Sequence, residues 1–216
     1  IKQHGINFFN DWHYDDRYVS VDSMPVPAYN DGQAIKMLKT NTNLLTSDRT
    51  TNSEKAFVLK MIIHMVGDMH QPMHNITRVS KAHPNGDLGG NLYKLKGKFK
   101  NLHSLWDSGL EPLPHLTRPL NDFDAKIFSD VVDEIISLNP LSSFHDEIIS
   151  AEYSSWQTES HKIALDHAYR NITPNSEPTA IYLHENGQIA KQRLALAGYR
   201  LGNILNCAWD SSLCIK

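Results

Sequence analysis

The fold class predicted by this sequence is mainly α: one domain over residues 1–216, with one short β-hairpin. Three observations predict it. Apolar residues recur at helical spacing over five stretches, whereas a strand pattern occurs at one place. With 40% hydrophobic and 21% charged residues the chain can bury a full core, which excludes disorder. Pro and Gly fall between the periodic stretches, and no internal repeat or low-complexity run is present.

In chain order the helical patterns cover about Gly32–Leu45, Ala56–Met69, Asp122–Leu138, Ala151–Asn171 and Gln188–Asn206. The second is preceded by Ser53, a suitable N-cap, with Glu54 in its first turn. It is apolar nearly all the way round, so it is expected to be the central, buried helix, stopping near Pro72. Beyond the Gly-rich loop Gly86–Asn91, the run Asn91-Leu92-Tyr93-Lys94-Leu95 with Lys96-Gly97-Lys98 and Phe99 reads as the hairpin. After the last periodic stretch, Cys207 and Cys214 either close a small terminal loop in an oxidising compartment or remain two thiols. Asn75-Ile76-Thr77 and Asn171-Ile172-Thr173 are glycosylation sequons if the chain passes through a eukaryotic secretory pathway.

Lys+Arg of 21 against Asp+Glu of 24 leaves a net charge of −3, so no broad basic surface holds a long polyanion and any nucleic-acid contact must be local. The apolar run from Met61 to Met69 is interrupted by His64 and Asp68 and is far shorter than the roughly 20 residues of a membrane span. Ile1 is neither an initiator Met nor the start of a leader segment, which implies a processed or incomplete chain.

Twelve histidines beside two cysteines exclude a Cys-rich zinc module and point to His/carboxylate chemistry. His64 and Asp68 stand four apart on one helix face, about 6 Å along the axis. An unpaired carboxylate there costs several kcal/mol to bury, which a divalent ion would offset. Pro72 ends the helix and His74 turns a third donor back toward the same pocket, while His70 between them is either a supporting or a surface residue. His103 and Asp107 repeat the spacing of four, with Trp106 beside the carboxylate. Either pair alone reads as an ordinary His/Asp hydrogen bond. Both pairs with His74 read as a metal site of N and O donors, which suits zinc better than manganese or iron.

These residues carry a family resemblance. His64-x3-Asp68-x-His70-Gln71-Pro72-x-His74, Gly86-Asp87-x-Gly89-Gly90-Asn91 and Asn101-Leu102-His103-x2-Trp106-Asp107 together resemble the zinc-dependent S1/P1 nucleases, relatives of zinc phospholipase C. Trp12-His13-Tyr14-x-Asp16, Trp156-x2-Glu159-Ser160-x5-Asp166, Tyr169 and Ala197-Gly198-x-Arg200-Leu201 extend the match over essentially the whole chain. The resemblance implies a phospholipase C/nuclease-type single domain with metal ions at the base of a cleft. It assigns His13, His64 and Asp68 to one zinc of a close pair, with Asp68 bridging to its neighbour as the catalytic carboxylate, and His74, His103 and Asp107 to a third zinc. Tyr14 would stack on an unpaired base, Asp16 would hydrogen-bond its edge, and Asn91 would complete the substrate-binding set; the plainer readings of Tyr14 and Asp16 are a packed aromatic and a turn residue. Glu159 and Trp156 are expected to pack and brace the helices.

The implied activity is metal-assisted hydrolysis of single-stranded RNA and DNA to 5′-nucleotides, with 3′-nucleotidase activity, by a secreted or periplasmic protein. Family members begin with a Trp whose amino group and carbonyl bind zinc, then a His ligand, an Asp ligand and a phosphate-binding Arg. None of the twelve residues before His13 reproduces that block, and His4 does not stand in for it, so a preceding segment is expected to supply the rest of a site for up to three ions. The alternatives are a zinc phospholipase C, expected to carry Glu at position 107, and a non-catalytic metal or nucleic-acid binding protein.

Overall fold

Six α-helices and one pair of short strands make up the principal regular structure among the residues that this computed structural model describes: 9–28, 32–110, 116, 117, 119, 121–144 and 152–215. His4 lies outside them. The first helix, α1 (Ala34–Thr46), buries Ala34, Leu38, Asn41 and Leu45, a single stripe at helical spacing. It packs on α2 (Asn52–His70), which begins one turn earlier than the apolar run. Thr51, not Ser53, is its N-cap, because only Thr51 stands three residues before Glu54 and can close a reciprocal capping box. The Glu54 Oε2 accepts from the Thr51 N–H at 2.8 Å and the Thr51 hydroxyl oxygen accepts from the Glu54 N–H at 3.4 Å.

The expectation of a wholly buried α2 is corrected by its outer face. Val58, Ile62, Met65, Val66 and Met69 are buried, yet Phe57 and Ile63 are 45% and 48% exposed. Apolar composition all round did not force enclosure, because α1 and two later helices cover only one side. At its end the Gln71 N–H still donates to the Gly67 and Asp68 carbonyls, and Pro72 opens a 3-10 turn, Pro72–His74.

Strands β1 (Arg17–Ser20) and β2 (Ile76–Val79) pair in parallel, Arg17 opposite Ile76 and Ser20 opposite Val79. A parallel pair needs a long crossover, and α1 with α2 supplies it. The predicted hairpin is reduced to one antiparallel bridge, Lys94 to Asn101, flanked by Leu95 N–H to the Lys100 carbonyl at 3.1 Å and Leu102 N–H to the Tyr93 carbonyl at 3.0 Å. A longer ladder is prevented because a neighbouring loop takes its polar groups: Lys96 N–H donates to Ser176 and Lys94 carbonyl accepts from Asn175.

Downstream lie α3 (Leu102–Asp107), α4 (Asp122–Leu138), α5 (Tyr153–Ile163) and α6 (Ala180–Trp209). A π-helical turn, Ala164–Ala168, continues α5. Helix α6 starts eight residues before the expected Gln188, capped by Thr179, because Gly187 is carried inside it rather than ending it. It also extends to include Cys207, which was expected beyond the helix; Cys207 is disulfide-bonded to Cys214.

Two main apolar clusters result. One joins α1, α2, α5 and α6 around Ile62, Met65 and Trp156; the other joins β2, α3, the π turn and the start of α6 around Ile76, Leu105 and Trp106. A smaller third seats α4 on α6. The end of α2 leaves the first main cluster at Met69 as the 3-10 turn enters the second at Met73, so the chain passes between the two cores here. Of the two sequons, Asn75 is wholly buried and its amide donates to the Met69 and Gln71 carbonyls, whereas Asn171 is exposed in a turn. No helix among the described residues is long and apolar enough to cross a membrane.

Candidate metal centre

At that junction the sequence-predicted residues fall into two groups. Asp68, in the last turn of α2, has His64 one turn earlier on the same face, with His64 Nε2 3.1 Å from Asp68 Oδ2. His13 approaches from the segment following the 3-10 turn Asn10–Trp12, its Nδ1 3.0 Å from Asp68 Oδ2 and 2.8 Å from His64 Nε2. The second group joins the 3-10 turn to α3: His74 Nε2 and His103 Nε2 lie 3.4 and 3.5 Å from the two oxygens of Asp107. In each group one donor atom per residue lies within 4.8 Å of the others. Both groups are sets that could hold a metal ion.

Local sequence explains why the second group is aimed. Asn101 caps α3 by accepting the Ser104 N–H at 2.8 Å, which starts the helix so that His103 and Asp107 share a face. His103 Nδ1–H donates to the Gly89 carbonyl at 2.8 Å, and His74 Nδ1–H to the His13 carbonyl at 2.6 Å. With Nδ1 protonated, Nε2 carries the lone pair and faces the other donors, the tautomer that a metal requires. Gly89 and Gly90 make this approach, at φ +58° and +79°; a Cβ on Gly89 would meet the Met73 carbonyl and crowd the His103 ring. Gln71, unassigned from sequence, donates to Asp107 Oδ1 at 2.7 Å. Its only sequence signal was its place between His70 and Pro72.

The electrostatics agree with a cation-seeking site. Burial works to lower the His74 pKa, but the Asp107 hydrogen bond and the Asp68 and Asp107 charges outweigh it and raise the net value. His103 is lowered, by burial and then by His74. Asp107 is lowered despite burial, by His74, His103 and Gln71. Of the three, His74 alone is shifted toward the protonated form, so the two acidic neighbours favour positive charge at this point. A cavity of about 210 Å³ opens alongside, lined by Asp68, His74 and Asp107 together with Trp106, Leu194 and Ala197.

The expected base-binding residues belong to neither group. Asp16 is buried and accepts from the Thr77 hydroxyl, while its Oδ1 has no hydrogen-bond partner. Burial raises its carboxyl to about 7, against the lowering effects of Thr77 and His74. Tyr14 is half-buried, and its carbonyl accepts the first N–H of α1. Asn91 closes the Gly-rich turn, its amide donating to the Leu88 carbonyl at 2.9 Å. Asp87 braces that turn by accepting from the Gly90 and Arg78 N–H groups and from the Tyr169 hydroxyl.

Behind the metal side, His70 is a buried supporting residue and not a surface one. Its Nδ1–H donates to Val66 and its Nε2 accepts from Arg200, and burial with the Arg193 and Arg200 charges holds its pKa well below the usual histidine range. Glu159 pairs with Arg200 and Arg193 at 2.7 and 3.0 Å, and Trp156 is 2% exposed, so both brace the helices as expected. Arg193 was missed because a lone Arg in a helical stretch has no sequence signal for burial.

Comparison with known proteins places this architecture. The chain is 32% identical to Endonuclease 5 of Arabidopsis thaliana over 160 residues, covering 68% of this chain and 49% of that protein. It is 30% identical to Endonuclease 1 of the same plant, covering 74% and 52%, and 28% identical to Nuclease S1 of Aspergillus oryzae, covering 79% and 60%. The chain therefore spans about half the length of the relatives it matches. The family model described as S1/P1 Nuclease matches residues 1–210, and with that match across nearly the whole sequence the chain belongs to the S1/P1 nuclease family.

Proposed function

We propose that the two groups are zinc ligands of a phosphodiesterase that cleaves single-stranded RNA and DNA to 5′-nucleotides, acts also on 3′-nucleotides, and works in a secreted or periplasmic setting. The observation that carries this reading is the convergence of two His/His/Asp sets, with Nε2 of His74 and His103 left as acceptors by their carbonyl partners. Nitrogen and carboxylate donors suit zinc. His13, His64 and Asp68 would hold one ion, and His74, His103 and Asp107 another. When bound, such ions supply Lewis acidity, ionising water near neutral pH and neutralising charge at phosphorus.

The protein's own contribution is positioning. Gln71 orients Asp107, Gly89 fixes the His103 ring, and the adjoining cavity admits a small group beside both carboxylates. Tyr14 offers a face to an unpaired base, Asp16 a polar contact to its edge, and Asn91 a substrate-binding contact on the Gly-rich loop. Titrating near 7, Asp16 can present either a carboxylate or a carboxylic acid to the base. The Arabidopsis and Aspergillus relatives named endonuclease and nuclease support the reaction class.

Protein purified without chelator is expected to contain zinc and to cleave single strands much faster than a duplex of the same sequence, since a paired base must first be unstacked. Full activity after complete metal removal overturns the metal assignment. Comparable rates on the two substrates overturn the Tyr14 and Asp16 pocket.

A further inference from the structure

Net charge forbids a broad basic face, yet one short turn concentrates cations. Lys94, Lys96, Lys98 and Lys100 are all exposed within seven residues of a chain whose net charge is −3. The turn is braced. Leu95 is buried with its N–H on the Lys100 carbonyl, Lys96 N–H donates to Ser176 at 2.9 Å, and Gly97 turns the chain at φ +83°. Lys98 Nζ lies 5.2 Å from the Phe99 ring, so an aromatic stands among the cations, the pairing that single strands use through phosphates and base faces. Glu177, against Gly97, offsets only part of this charge.

The turn is rooted beside the metal centre. Lys94 bridges Asn101, the cap of α3, and Lys100 stands three residues before His103. Three residues span at most about 11 Å, so Lys100 stands beside the group of His103 and Asp107, and Lys98 and Lys96 continue the positive charge along the turn away from it.

We infer that the turn formed by Lys96, Lys98 and Lys100 guides a single nucleic-acid strand, holding backbone phosphates beyond the cleaved bond and favouring polynucleotides over mononucleotides. This rests on the nuclease reading and adds the length class of its substrate. Each lysine–phosphate contact on a single strand contributes about 0.7 to the slope of log affinity against log salt, so three contribute about 2.

The test is a full-length, zinc-loaded triple variant, Lys96→Gln with Lys98→Gln and Lys100→Gln, beside the corresponding three Lys→Arg changes. Binding of a fluorescent single-stranded oligodeoxynucleotide and hydrolysis of a 3′-mononucleotide are measured across a salt series. The Gln variant is expected to flatten the salt slope for the strand by about 2 with mononucleotide hydrolysis unchanged, and the Arg variant to keep the wild-type slope. Should the triple change fail to fold, Lys98→Gln alone is expected to flatten the slope by about 0.7. Equal slopes for wild type and Gln variant, or equal loss on strand and mononucleotide, overturn the inference. Slopes that differ as expected in a protein that hydrolyses neither substrate sustain the inference and overturn only the nuclease reading.

Discussion

Asp16 shows how little a residue's type says about its state. The spacing Trp12-His13-Tyr14-x-Asp16 identified the position, but only the tertiary burial of the carboxyl raises it to about 7, against the lowering effect of the Thr77 hydroxyl that it accepts from. Its value in the unfolded chain is near 3.8, so the folded state holds the proton more tightly. The stability that proton confers is complete below about pH 4, declines as pH rises to about 7, and is absent above it. In metal-free protein, Asp16→Asn is therefore expected to melt like wild type near pH 4 and above it at pH 8, with the gap opening between. A gap that is constant over that range in thermal scans would contradict a buried, proton-holding Asp16. His70 is a parallel case: next to two metal-spaced residues in sequence, it is turned inward onto Val66 and Arg200.

At the scale of elements, the Gly-rich loop has more structural consequence than its sequence suggested. Gly-Gly marks many plain turns, but here the Gly89 carbonyl sets the His103 tautomer and its missing Cβ allows the Met73 carbonyl to approach. Gly89→Ala is expected to cost about 1–3 kcal/mol in backbone strain and to weaken metal binding at His74, His103 and Asp107 by about 10–100-fold. Denaturant unfolding and metal titration of the same protein check both parts. Loss of stability with undiminished metal affinity would show that Gly89 does not orient His103. The helices were legible from periodicity, except where a longer-range partner intervened. Thr51 displaced Ser53 as cap, α6 absorbed Gly187, and the 173–176 loop consumed the hairpin's hydrogen bonds.

For the molecule as a whole, the two His/Asp groups sit where one apolar cluster gives way to the other, and the disulfide is remote in sequence from every proposed ligand. Cys207 and Cys214 are separated by 7 residues, and closing so short a loop is worth roughly 2–3 kcal/mol. Cys207→Ser is expected to lower Tm by roughly 5–10 °C while leaving bound metal and mononucleotide hydrolysis unchanged, measured by calorimetry and metal analysis. A change in metal content would mean that the terminal loop braces the centre through α6.

What the sequence by itself determined is the local content: which stretches are helical, which His and Asp stand four apart on a helix face, and where Pro72 turns His74 back. Those follow from the 3.6-residue period and from proline's missing N–H, and depend on no distant partner. His13, His64 and Asp68 come together in one group and His74, His103 and Asp107 in another, each a set that could hold an ion. Tertiary structure alone decided the four-residue parallel pairing of β1 with β2, the burial of Arg193 and Arg200 against Glu159, and the Gln71 bond to Asp107. Each joins residues that no local period relates, and each is favourable only once packing excludes water from the contact or holds its partners in place.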